Sequence, residues 1–156
     1  MKKLLVLLLA LACVLGSLTS CEYIFGGGVE DAGEVSLVIE SSDGSYEVFD
    51  LSLEEVENKS EGAKGLIEHL SQNNGLKVNM IEGVYGAYVS AISSISESSV
   101  DGIYVMVYTS VKTDAYEGSP TVEYEGVTLY QSGVGISDMS VAEGTVILFR
   151  LESSPY

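Results

Sequence analysis

The chain of 156 residues has no tryptophan, one histidine, two cysteines, two prolines and seven basic residues. Each scarcity excludes something. With His69 the sole imidazole, a Ser-His-Asp or Cys-His centre would have to be built on it. It lies in a helical stretch beside Glu68, and no Gly-x-Ser-x-Gly nucleophile context accompanies it. It reads as a partly exposed helix residue, and the chain reads as a non-enzyme. Cys13 and Cys21 both fall near the N-terminus, so the remainder holds no disulfide, no thiol chemistry and no cysteine-based zinc site. Its core alone must hold it together, which a chain of this length can do. Seven Lys and Arg, two of them Lys2 and Lys3, face 23 Asp and Glu. Phosphate binding needs clustered cations, so nucleic acid is excluded as a partner. The same imbalance favours solubility and discourages the chain from lying on an anionic membrane. No Asp-x-Asp-x-Asp-Gly loop offers a calcium site, and no other metal site is legible. Gly26-Gly27-Gly28 is not a phosphate loop, because no strand precedes it and no Lys-Ser/Thr follows.

What the chain does have begins at Lys2 and Lys3, a basic start followed by the apolar run Leu4–Leu15. Small and polar residues then lead to Leu18-Thr19-Ser20-Cys21. This is the layout of a secretory signal peptide. The run is broken before reaching the ~20 apolar residues that a membrane span needs. The Leu-Thr-Ser-Cys ending resembles the lipobox of bacterial lipoproteins. That resemblance implies cleavage before Cys21, acylation of its thiol, and an extracytoplasmic protein anchored to the bacterial membrane by lipid. Residues 1–20 are then the signal peptide, and residues 21–34, rich in glycine and acid, a flexible tether. A single domain of ordinary size follows over residues 35–152.

Within it, Val35–Glu40 and Tyr46–Leu53 flank Ser42-Asp43-Gly44 and read as an opening hairpin. Ser60–Gln72 has Ala63, Leu66, Ile67 and Leu70 at helical spacing, with Ser60 as a cap and Asn73-Asn74-Gly75 as a stop. Leu76–Ile81 alternates as a strand. Gly83–Ile95 reads as an irregular, glycine-marked stretch. Ile103–Val111 is the strongest strand, with Ile103, Val105 and Val107 on one face and Tyr104, Met106 and Tyr108 on the other. Residues 112–121 form a polar loop, and Thr121–Tyr130 a short hairpin around Glu125-Gly126. A glycine-rich loop over 132–143 precedes the closing strand Thr145–Leu151. The order predicts an α+β fold, with one main helix packed on a mixed or antiparallel sheet.

Several of these segments carry a second resemblance. Tyr85-Gly86-Ala87-Tyr88-Val89-Ser90-Ala91-Ile92 looks like the signature of a bacterial domain family similar to the C-terminal β domain of transcobalamin and intrinsic factor. Ile103–Ser110 resembles that family's next strand, with Tyr104 where tryptophan is usual. Tyr124-Glu125-Gly126 and Ser137–Gly144 resemble its later hairpin and the turn before its last strand. The motifs arrive in the family's order across Val35–Leu151. The resemblance implies a compact fold with a β-grasp-like flavour and, as ligand, a corrinoid or related nutrient.

The tyrosines are the most suggestive residues outside the expected core. Ten are present, and Tyr85, Tyr88, Tyr104 and Tyr108 gather in the two motif segments. A tyrosine ring with its hydroxyl suits recognition of a ligand or protein surface. The same rings also pack across sheets. Tyr88, Tyr104, Met106 and Tyr108 are the candidate ligand- or partner-binding residues. Gly86 and Gly144 are expected to serve backbone geometry. The carboxylate groups Glu54-Glu55-x-Glu57 and Glu30-Asp31 could serve hydrolysis only if two faced each other across a cleft. The expected function is therefore a membrane-anchored ligand-binding module without catalysis. The alternative is an envelope module that binds protein or glycan. A concave pocket lined by Tyr88 and Tyr108 would favour the first, and an open face or sheet edge the second.

Overall fold

The computed structural model describes residues 28–84 and 86–153. The expected signal peptide, Cys21 and Tyr85 lie outside them. Two sheets and one helix make up the fold. Strands β1 (Glu34–Glu40), β2 (Tyr46–Ser52), β6 (Ile103–Thr109), β7 (Thr121–Tyr124), β8 (Val127–Gln131) and β9 (Val146–Ser153) form the larger sheet. Its six strands run in the order β2-β1-β9-β6-β8-β7. Every pairing is antiparallel except β1 with β9, which is parallel over Ser36–Ile39 and Val146–Phe149. Strands β3 (Val78–Gly83), β4 (Gly86–Ile92) and β5 (Ile95–Ser96) form the smaller sheet, and α1 (Gly62–Asn73) is the helix.

Alternation along β1 and β9 decides where the cores sit. Val35, Leu37, Ile39, Ile147 and Phe149 point to one side of the large sheet, where α1 and the small sheet cover them. The helix contributes Ala63, Leu66, Ile67 and Leu70, the four residues its spacing singles out, and the small sheet Ala87, Val89, Ile92 and Ile95. Val38 and Leu148 point the other way into a second cluster with Tyr108, Tyr124 and Leu129. The large sheet curls around that cluster far enough for its two edge strands to touch. The Tyr46 ring of β2 meets the Tyr124 ring of β7 edge-on at 5.1 Å. Each fully buried aliphatic or aromatic side chain contributes about 1.5–3 kcal/mol, so both faces stabilise the fold.

The α+β class, the single helix, the opening hairpin and the mixed sheet are as expected, and several local readings change. Gly83–Ile95 is not irregular. Gly83 and Gly86 pair with each other at the foot of a hairpin, and β4 and β5 follow. The glycines mark the turn, with Gly86 at φ +90, while Ala87 and Val89 alternate with Tyr88 as in any half-buried strand. Ser60 does not cap the helix. It lies in a 3-10 turn, Lys59–Glu61, and Gly62 opens the helix with φ +58 beneath the Met139 carbonyl. The alternation expected over Leu76–Ile81 is interrupted by a bulge between Asn79 and Met80. The end of the expected tether is bonded to the domain. Val29 bridges to Val141, Glu30 N–H donates to the Val141 carbonyl at 3.0 Å, and the Lys59 ammonium donates to the Asp31 carbonyl at 3.1 Å.

The loop over 132–143 ties the layers together. Lys64 N–H donates to the Ile136 carbonyl, Ile136 N–H to the Ala87 carbonyl, and Ala87 N–H to Ser137 Oγ. Buried Asp114 accepts both the N–H and the hydroxyl of Ser140, at 2.6 and 2.7 Å. Among the described residues no helix is long and apolar enough to cross a membrane.

One glycine gives a sharp test. An exposed Gly→Ala change inside a helix ordinarily stabilises by about 1 kcal/mol. At Gly65 a Cβ would run into the Asn58 carbonyl and its peptide, which are backbone and cannot step aside. Gly65→Ala should instead destabilise by about 2 kcal/mol, read as a lower urea midpoint at unchanged m-value.

Candidate functional site

Strand β6 sets out the candidate residues. Cross-strand partners share a face, and the register pairs Tyr104 with Glu152, Met106 with Arg150 and Tyr108 with Leu148. Tyr104, Met106 and Tyr108 therefore share one face, the one opposite α1, as the alternation predicts. One strand further, Glu40 of β1 reaches Arg150, with Nη1 to Oε2 at 3.3 Å. Glu152 reaches it from its own strand, with Oε1 to Nε at 3.3 Å. The same Glu152 oxygen accepts the Tyr108 hydroxyl proton at 2.8 Å. Gln131 directs its amide at the Met106 sulfur at 4.0 Å and accepts the Tyr116 hydroxyl at 2.9 Å.

The three candidates on this strand have different environments. Tyr108 is 1% exposed, Met106 is half-buried and Tyr104 is 38% exposed. The Tyr108 ring therefore belongs to the second core, and no ligand can rest on it. Its hydroxyl holds Glu152, and Glu152 helps hold Arg150. Burial, and then the hydrogen bond to Glu152, push the Tyr108 phenol well above its ordinary value. Tyr124, in the same cluster, is also raised, first by burial and then by Glu125 and Asp50. Two atoms of the polar group, Glu40 Oε2 and Arg150 Nε, are enclosed without hydrogen-bond partners although both are ion-paired. Distance alone does not make a hydrogen bond when the donor angle is poor.

Tyr88 stands apart. It lies on β4 of the small sheet, 45% exposed beside its cross-strand partner Ile81, while Ala87 and Val89 face the first core. The pocket lined by Tyr88 and Tyr108 that would have favoured a ligand-binding module does not form, because the two residues sit on different sheets and Tyr108 is enclosed. The parts that do come together are Tyr104, Met106, Arg150, Glu40 and Glu152, on an open face. Sequence reading missed Arg150 and both glutamates. Arg150 interrupts the apolar run of the closing strand between Phe149 and Leu151, and that interruption is the signal that could have found it.

The other candidates do not assemble a reactive centre. His69 Nδ1 accepts from the Asn73 side-chain amide at 3.2 Å, and the residue lines a shallow groove with Glu55, Glu57 and Glu68. Glu54, Glu55 and Glu57 are exposed, and no cluster of three or more potential metal ligands occurs among the described residues.

No family model and no curated protein matches the chain. Solved structures do. The crystal structure of haptocorrin in complex with Cbi matches with a TM-score of 0.53 and 13% identity over 86% of this chain. The chain spans 28% of haptocorrin. A provisionally named metal binding protein from Ruminococcus gnavus ATCC 29149 matches with a TM-score of 0.53 and 11% identity, over 78% of this chain and 98% of that one. Identities this low establish the fold alone: a small domain of one helix and mixed sheets with a transcobalamin-like structural neighbour.

The buried tyrosines give the protein an alkaline signature. A phenol raised in the folded state binds its proton more tightly than in the unfolded chain. Its stabilising effect is complete below the unfolded value, 10.0, and is lost as pH rises above it. Urea midpoints should therefore fall steeply above about pH 10. In Tyr108→Phe the fall should be shallower, while stability at neutral pH drops by about 1 kcal/mol for the lost bond to Glu152.

Proposed function

We propose that the chain is a non-enzymatic binding module of the bacterial envelope, anchored by lipid on Cys21, that takes a bulky ligand on the open face bearing Tyr104 and Met106. The observation that carries this reading is the composition of that face. An exposed phenol and a thioether supply flat apolar contact. Beside them the partly exposed Arg150 guanidinium stands between the Glu40 and Glu152 carboxylates, a fixed charged group whose accessible polar atoms can meet the amides of a ligand. The ligand class proposed is a corrinoid, whose broad ring edge is apolar and whose side chains are amides able to give and accept hydrogen bonds. Support comes from the structural likeness to haptocorrin, whose crystal structure is a complex with Cbi. The anchor rests on the Leu-Thr-Ser-Cys sequence.

A second reading is favoured by the openness itself. The grooves among the described residues are shallow, as in a module that binds protein or glycan without a small-molecule pocket.

Two experiments test these proposals. In the host, the protein should take up an alkyne-tagged fatty acid and Cys21→Ser should abolish the label; an unlabelled parent chain, or a label that persists in Cys21→Ser, would refute the lipid anchor on Cys21. The chain from Glu22 onward, titrated with cobinamide and cobalamin by calorimetry and tyrosine fluorescence, should show saturable binding. Tyr104→Ala should then weaken it by about tenfold, the size expected of an aromatic contact at a binding surface. Absence of heat and of a fluorescence change with both ligands would sink the corrinoid reading.

A further inference from the structure

Strand β2 is the last strand on one side of the large sheet, and its pairing reveals which backbone groups remain open. Ser41 N–H donates to the Ser45 carbonyl and Leu53 N–H to the Gly33 carbonyl, both at 2.8 Å. These pairs bracket the β1–β2 register. Antiparallel pairs alternate between bonded and non-bonded. The bonded ones are therefore Val35 with Leu51, Leu37 with Phe49 and Ile39 with Glu47. Tyr46, Val48 and Asp50 turn their N–H and C=O groups away from β1. The bond from Ser36 N–H to the Thr145 carbonyl agrees, since it shows the intervening β1 residues facing β9. Among the described residues, nothing pairs with the three open positions.

The other sheet edges are blunted in ways that β2 is not. Strand β7 has four residues and follows Pro120, β3 carries a bulge, and β5 has two residues. Strand β2 runs seven residues in unbroken register, without proline, glycine or lysine. Tyr46 and Val48 lie on it 49% and 44% exposed. Alongside the strand runs a groove of about 300 Å³, in which Phe49 and Leu51 face Leu70 of α1. It continues for about 350 Å³ past Leu76. The rim is acidic, with Glu47, Asp50 and Glu55 against Lys77 as the one lysine lining these two grooves.

We propose that the edge of β2 is a docking site for an extended, basic segment of a partner protein, which adds to the sheet as a further strand. Its backbone pairs with Tyr46, Val48 and Asp50. Apolar side chains on one face enter the groove beside Phe49 and Leu51, and lysines or arginines on the other face meet Asp50, while Glu47 and Glu55 at the groove rim attract a basic flank of the same segment. Charge selects this occupant over a second copy of the chain, because another β2 would bring its own Glu47 and Asp50 to the same rim. The proposal does not depend on a corrinoid, and the corrinoid titration can fail without touching it.

The test uses the isotopically labelled chain from Glu22 onward and two synthetic peptides matched to β2 in length, one alternating Lys with Val and one alternating Glu with Val. The basic peptide should bind saturably, shift the amides of Tyr46, Val48 and Asp50, and protect them from exchange. Val48→Pro removes an N–H that does not serve β1 and should weaken binding by about tenfold while Glu47 and Phe49 stay protected. Asp50→Lys should weaken it similarly, and it decides the matter if the proline disturbs the strand. Equal binding of the acidic peptide, unchanged affinity in Asp50→Lys, or shifts confined to other surfaces would overturn the proposal. So would concentration-dependent pairing of the chain with itself through β2 in place of peptide binding.

Discussion

The parallel contact between β1 and β9 is the constraint on which the rest of the structure depends. It joins the first strand of the domain to the last, and all six residues Leu37–Ile39 and Ile147–Phe149 are buried. Because side chains alternate across a sheet, this one contact feeds both cores. Leu37, Ile39, Ile147 and Phe149 support the helix and the small sheet, while Val38 and Leu148 support the tyrosine cluster. Strands buried on both faces are continuous apolar runs, which is how Val35–Ile39 and Val146–Phe149 read apart from Ser36. A register slip here would exchange the two sets and disrupt both faces together.

That arrangement explains what was legible in the sequence. Elements with local signals are read correctly: the opening hairpin from its turn, the helix from Ala63, Leu66, Ile67 and Leu70, the faces of β6 from strict alternation. The hairpin at Glu125-Gly126 is also read correctly, and both residues take positive φ, as its tight turn requires. Features set by distant partners are not legible. Strand β4 hides because its glycines resemble breaks until Gly83 and Gly86 are seen paired. The helix starts at Gly62, where the Met139 carbonyl from far along the chain approaches too closely for a side chain, and Ser60 falls in the preceding 3-10 turn. The loop over 132–143 reads only as glycine-rich with a motif at its end, yet it binds α1, β4 and Asp114 at once. Nothing local marks Asp114 and Ser140 as a buried pair.

The candidate site divides along the same line. Tyr104 and Met106 are found from the sequence because alternation puts them on one face. Their companions Glu40, Arg150 and Glu152 come from the first and last strands, so only the β1–β9–β6 order brings them there. Tyr88 carries the same motif flavour as Tyr104 and lands on another sheet. Composition signals that a protein has aromatic surface to offer, and topology decides whether the rings act together.

Tyr108 links the second core to the open face. Its ring is packed where removal would leave a cavity, and its hydroxyl fixes one oxygen of Glu152. Glu152 and Glu40 then flank Arg150 from two strands, so the guanidinium is positioned by the packing beneath it. Placing an arginine between two carboxylates at the edge of a core is costly, because desolvation of ions offsets much of their attraction. An apolar side chain at position 150 would extend the apolar run of β9 without that cost. The fold instead keeps a charged, incompletely bonded group beside Tyr104 and Met106, supported by a buried phenol. Because the two unbonded atoms are enclosed, no ligand reaches them; the group instead fixes the flank of the exposed Tyr104 ring and the half-buried Met106 thioether, and those are the surfaces a ligand on this face would meet.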